Sequence, residues 1–68
     1  PDDGATPTPG MTATHLVLLN GAGEVVSRRA HHGGPLPARI PRLRGKGVAE
    51  DYRFIDLRDD CAIYQVQG

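Results

Sequence analysis

The sequence predicts a mainly β fold, in which two β-hairpins form a small antiparallel sheet or an open barrel of four to five strands, with a long Gly/Pro-rich basic loop. Short apolar runs are separated by turn residues near the front and near the back of the chain. Seven glycines and prolines within residues 32–47 leave no room for a long helix. Because a lone hairpin is only marginally stable in water, the two hairpins are expected to share one sheet or barrel.

The first ten residues are expected to lie outside this fold. They contain three Pro, two Gly, two Thr and two Asp, with Ala5 as the single apolar residue. A segment of this composition cannot bury enough apolar surface to offset the entropy of ordering. We therefore predict a flexible tail, linker or expression remnant over residues 1–10 and a small β domain over residues 11–68.

The first hairpin is predicted over residues 12–31. Residues 12–19 form a short apolar run bounded by turn residues, which is typical of a strand. Residues 20–23 include an Asn and two glycines, which tolerate positive φ and so permit a tight reversal. Residues 24–31 would form the returning strand, because Val25 and Val26 favour extended backbone.

The middle of the chain is predicted to be a long loop. Its prolines and glycines interrupt every regular pattern between residues 32 and 47, and we expect at most a short strand around residues 38–40. A loop of about sixteen residues in so small a domain is typical of a functional or mobile segment.

The second hairpin is predicted from residues 51–58 and 61–66, with two aspartates at the turn. In the first of these strands, Phe54 and Asp56 alternate with Ile55 and Leu57. The alternation favours the face that carries Ile55 and Leu57 as the one turned towards the core.

Length and composition place the chain among small intracellular domains. Its 68 residues make one domain with few large side chains, since there is one Phe, two Tyr and no Trp. The single Cys61 cannot form an internal disulfide, which favours a reducing compartment, and we expect the cytoplasm. No apolar run approaches the roughly 20 residues that cross a bilayer, so no membrane partner is expected.

Charge is unevenly distributed along a chain whose formal net charge is zero. Residues 25–49 hold six Lys and Arg and no acid, whereas both flanks are acidic. A run of cations with interspersed glycines could bind phosphates, or its arginines could pair with the acids of the second hairpin. The predicted binding residues, which include two neighbouring histidines, are Arg28, Arg29, His31, His32, Arg39, Arg42, Arg44 and Lys46.

Residues able to hold a metal or perform catalysis are few. The soft metal ligands are His15, His31, His32 and Cys61, and their spacing matches no zinc module. A single Cys at the start of a strand is more often a small buried hydrophobe than a nucleophile. The sequence therefore predicts no metal site, no cofactor, no catalytic residue and no enzymatic activity.

Three classes of function are consistent with these patterns. The first is a non-enzymatic protein-interaction module or small accessory or inhibitor subunit, which binds a protein partner or a second copy through an exposed sheet edge or the basic loop. The second is a small nucleic-acid-binding β-barrel that uses residues 28–46. The third is a small enzyme or enzyme fragment. We place protein interaction first, because the net charge is zero and the basic segment has no aromatic residue for stacking on bases.

Overall fold

The computed structural model describes residues 6–41 and 51–66, and in these ranges it contains five strands and no helix. No helix in the described ranges could therefore cross a membrane. The predicted fold class is confirmed as mainly β. The strands are β1 (His15–Leu19), β2 (Val25–Ala30), β3 (Arg39–Pro41), β4 (Asp51–Arg58) and β5 (Cys61–Val66).

The five strands form one sheet in the order β2-β1-β5-β4-β3, which curves into an open half-barrel. Strands β1 and β2 pair antiparallel, as do β4 with β5 and β3 with β4. The central pair, β1 with β5, is parallel. The sheet is therefore mixed, and β2 and β3 lie at its two edges.

Both predicted hairpins are confirmed, and the first turn is organised by Asn20. Its Oδ1 accepts hydrogen bonds from the backbone N–H groups of Ala22 and Glu24, both at 2.9 Å. Its Nδ2 donates to Oε1 of Glu24 at 3.0 Å. Gly23 adopts φ +86°, a conformation that costs glycine little because it has no Cβ. The Asn and the glycine that predicted a reversal are thus the residues that form it.

The second hairpin has a two-residue turn at Asp59 and Asp60. Both residues have positive φ, 48° and 67°, as in the type I′ turns that match the twist of paired strands. Oδ2 of Asp60 also accepts a hydrogen bond from the Thr14 hydroxyl at 3.1 Å, which ties this turn to the residue before β1.

The core lies on one face of the sheet, here called the core face; the opposite side is the outer face. Tyr64 and Leu18 are the largest fully buried side chains. The rings of Tyr64 and Phe54 meet edge to face, with centroids 5.6 Å apart. The chain between β2 and β3 closes over them, because Leu36 joins the core and the Tyr64 hydroxyl donates to the Pro37 carbonyl at 2.7 Å. The buried cluster comprises Ala13, Leu16, Leu18, Leu36, Ile40, Phe54, Ala62 and Tyr64.

The prediction that Ile55 and Leu57, rather than Phe54, form the core side of β4 is wrong for Phe54 and Ile55. Phe54 is the buried residue of β4, whereas Leu57 is 36% exposed. The pairing of β4 with β5 shifts between Phe54 and Asp56, which leaves Ile55 as the extra residue of a β-bulge. Beyond the bulge Leu57 lies opposite Ala62, on the same face as Phe54 but near the end of the strand, where little covers it.

Candidate interaction surface

The strand β2 presents an open edge. Its one partner among the described strands is β1, so its other side pairs with nothing in the part of the chain that the structure describes. All six residues except Ser27 are exposed, and Val25 and Val26 are 51% and 49% exposed. Two exposed valines on an unpaired strand form an apolar site where another chain could pair with the sheet.

The register of the hairpin shows which backbone groups of β2 point outwards. His31 N–H donates to the Thr14 carbonyl at 2.8 Å, and these residues continue the register in which His15 lies opposite Ala30. Hydrogen-bonded and non-hydrogen-bonded pairs alternate along an antiparallel ladder. The N–H and C=O groups of Ala30, and two residues earlier those of Arg28, are therefore directed away from β1 to the open edge.

The two arginines of β2 lie on opposite faces of the sheet. Arg29 is opposite Leu16, a member of the buried cluster, and so projects from the core face. Arg28 is opposite Val17, which is buried but does not belong to that cluster, and so projects from the outer face. The open edge thus carries one cation on each side.

The structure divides the predicted binding residues between the two edges of the sheet. His31 follows β2 directly, and its Nε2 lies 3.2 Å from the Gly34 carbonyl. His32 is exposed, and the two histidines follow β2 at the end of the strand that carries Arg28 and Arg29. Arg39 lies on β3 at the far edge, where its Nη1 is 3.4 Å from Oδ2 of Asp51. The remaining three predicted residues, Arg42, Arg44 and Lys46, lie outside the described residues.

Two arginines that the sequence analysis did not select share the outer face with Arg28 and Arg39. Arg53 is directly opposite Arg39, and Arg58 is opposite Cys61 on β5. Arg58 also pairs with Asp56, with Nε and Oδ2 3.3 Å apart. Arg53 and Arg58 lie outside the basic segment, so composition could not single them out. Only the register of β4, including its bulge, shows that they share a face.

A small group of polar side chains lies where the parallel strands β1 and β5 begin. The Thr14 hydroxyl lies 2.9 Å from Nδ1 of His15 and donates to Asp60, and His15 is the register neighbour of Cys61. Within residues 6–41 and 51–66, no group of three or more His, Cys, Asp or Glu side chains could hold a metal ion.

The β3 edge differs from the β2 edge in length and chemistry. It is three residues long and ends in Pro41, which has no N–H to donate to an added strand. The β2 edge is therefore the better template for pairing with another chain.

Comparison with known proteins gives no match to a family model, a curated protein or a solved structure.

Proposed function

We propose that this protein is a non-enzymatic interaction module that binds an extended segment of a protein partner along β2. The observation that carries the proposal is the open edge of β2, where the backbone groups of Arg28 and Ala30 are directed outwards. Such groups hydrogen-bond an added strand in the same way as a sheet bonds its own members.

The side chains around this edge support the proposal. The exposed valines 25 and 26 would lose water on contact with a partner, which contributes roughly 25 cal/mol for each Å² of apolar surface buried. The backbone bonds would give affinity, and the side chains on the two faces would give specificity. A module of this kind needs no cleft and no catalytic group.

Nucleic-acid binding, the second candidate, has weaker support from the described residues. Arg28 and Arg29 project from opposite faces, so a single phosphate backbone would not contact both at once. Phe54 and Tyr64 are buried against each other and offer no surface for base stacking.

Ala30→Pro tests the proposal at the backbone. Because the N–H of Ala30 is directed away from β1, its loss removes a bond to an added strand and none within the hairpin. The variant keeps every charge of the edge. Ala30→Ser is the matched control, since it alters the side chain but retains the N–H group.

We expect wild-type protein and Ala30→Ser to retain the same cellular proteins when immobilised, and Ala30→Pro to lose a defined subset of them. Quantitative mass spectrometry of the eluates measures the difference, and thermal unfolding verifies that all three forms are folded. Equal retention of every protein by the three forms would contradict strand addition at β2. A partner that Ala30→Pro retains but an added variant, Arg28→Ala, loses would indicate recognition by charge and not by strand addition.

A further inference from the structure

We propose that the segment bound along β2 carries two consecutive acidic residues, one opposite Arg28 and one opposite Arg29. This inference rests on the proposed function and specifies the chemistry of the partner. It follows from the way in which neighbouring residues of paired strands alternate between the faces of a sheet.

The geometry of the edge requires the two acids to be adjacent in sequence. Arg28 projects from the outer face and Arg29 from the core face. An added strand alternates in the same way, and its side chains lie about 4.5–5.5 Å, between Cβ atoms, from those directly opposite them. Two acids in succession therefore place one carboxylate beside each guanidinium. Two acids separated by one residue would both lie on a single face.

The acids described elsewhere in the sheet lie away from this edge. The ion pairs formed among the described residues are Arg39–Asp51 and Arg58–Asp56, both on the β3–β4 side. Glu24, the nearest acid in sequence, accepts a hydrogen bond from Asn20 in the turn. A partner's carboxylates would thus supply the negative charge opposite the two arginines.

A second copy of the chain is a poor occupant of the same edge. An antiparallel self-pairing centred on Arg28 places that residue against its own copy, and one centred on Arg29 does the same for Arg29. Like charges directly opposite each other are destabilising. A register centred on Ser27 uses the part of β2 where the ladder shifts at its bulge, and one centred on Ala30 runs past the end of the strand. An acidic segment instead places opposite charges beside Arg28 and Arg29.

The expected gain in affinity is modest and measurable. An exposed cross-strand ion pair contributes about 0.2–1 kcal/mol, which corresponds to about 1.4- to 5-fold in a dissociation constant. Two such pairs should lower the dissociation constant by roughly 2- to 30-fold at low salt. Added salt screens the charges and reduces this gain.

The test uses four labelled peptides of one design, Thr-Val-Thr-Val followed by a variable centre and Val-Thr-Val-Thr. The centres are Asp-Asp, Asn-Asn, Lys-Lys and Asp-Val-Asp, the last having the same charge as the first with both acids on one face. Binding is measured by fluorescence polarisation, and shifts of the β2 amide signals in NMR spectra locate the site. We expect the Asp-Asp peptide to bind most tightly to wild-type protein. Reversing both charges, with Arg28→Glu and Arg29→Glu, should transfer the preference to Lys-Lys.

The outcomes separate this inference from the proposed function. If all four peptides bind equally and Ala30→Pro weakens the binding of each, strand addition at β2 is supported and the preference for two acidic residues is contradicted. Equal binding of the Asp-Asp and Asp-Val-Asp peptides would contradict the claim that the partner's two acidic residues are consecutive in sequence. If no peptide shifts the β2 amides, strand addition itself is contradicted. A 20-nucleotide single-stranded DNA that binds more tightly than the Asp-Asp peptide would replace the inference with nucleic-acid recognition.

Discussion

Tyr64 is the residue that joins the sheet to the chain that covers it. Its side chain is fully buried, its ring packs against Phe54, and its hydroxyl donates to the Pro37 carbonyl. Burial raises the pKa of this hydroxyl from 10.0 to about 12. One side chain therefore contributes apolar contact, an aromatic pair and a hydrogen bond that holds the chain before β3 on the core.

We predict that Tyr64→Phe lowers stability at neutral pH and removes a dependence on alkaline pH. Losing the hydrogen bond to Pro37 should cost about 1–2 kcal/mol. Because the folded pKa is above the unfolded one, Tyr64 retains its proton in the native state. Its contribution is complete below pH 10, is reduced by about 1.4 kcal/mol at pH 11, and continues to fall through pH 12.

Urea unfolding at pH 8 and pH 11 measures this effect for wild-type protein, Tyr64→Phe and the control Tyr52→Phe. The stability difference between wild-type protein and Tyr64→Phe should shrink as pH rises. If the stability difference between wild-type protein and Tyr64→Phe stays constant from pH 8 to pH 11, the raised pKa of the Tyr64 hydroxyl is contradicted.

Among the hairpins, the second shows how far local sequence determines an element. Both strands and the turn at Asp59 and Asp60 were predictable, because aspartate tolerates positive φ and the flanking runs favour extended backbone. The bulge at Ile55 was not predictable. The alternation of side chains along one strand does not show where an extra residue is inserted, and the prediction therefore placed Phe54 on the face away from the core.

The turn gives a prediction at the scale of the hairpin. Replacing Asp59 by Val places a β-branched residue at φ 48°, in the left-handed region, and should lower stability by about 1–2 kcal/mol. Asp59→Asn is the control and should change stability by less than about 0.5 kcal/mol, because Asn tolerates this conformation. Thermal or urea unfolding provides the measurement. Equal stability of the two variants would mean that the turn adjusts to avoid positive φ.

For the molecule as a whole, the unpredicted feature is the parallel pairing of β1 with β5. Each hairpin is fixed by residues close together in sequence, but the choice of which strands meet depends on contacts between positions such as Leu16 and Ala62. This pairing also determines the candidate site. Because β5 pairs with β1 and not with β2, the outer side of β2 is left without a partner among the described strands. The charge run selected Arg28 and Arg29 as candidate binding residues, but only the topology shows that they flank an open backbone.

The parallel pairing also determines how the molecule would resist mechanical force. In β1 the chain enters at His15, beside Cys61, and it leaves β5 at Val66, at the opposite end of the pair. Stretching the protein by its two termini therefore slides β1 along β5 and loads all the hydrogen bonds between them together. Pulling instead from residues 22 and 66, which lie at the same end of this pair, should unzip β1 from β5 bond by bond at lower force. Optical tweezers attached at each pair of points measure the rupture force in the two pulling geometries. Equal rupture forces would mean that the β1–β5 pairing does not determine mechanical resistance.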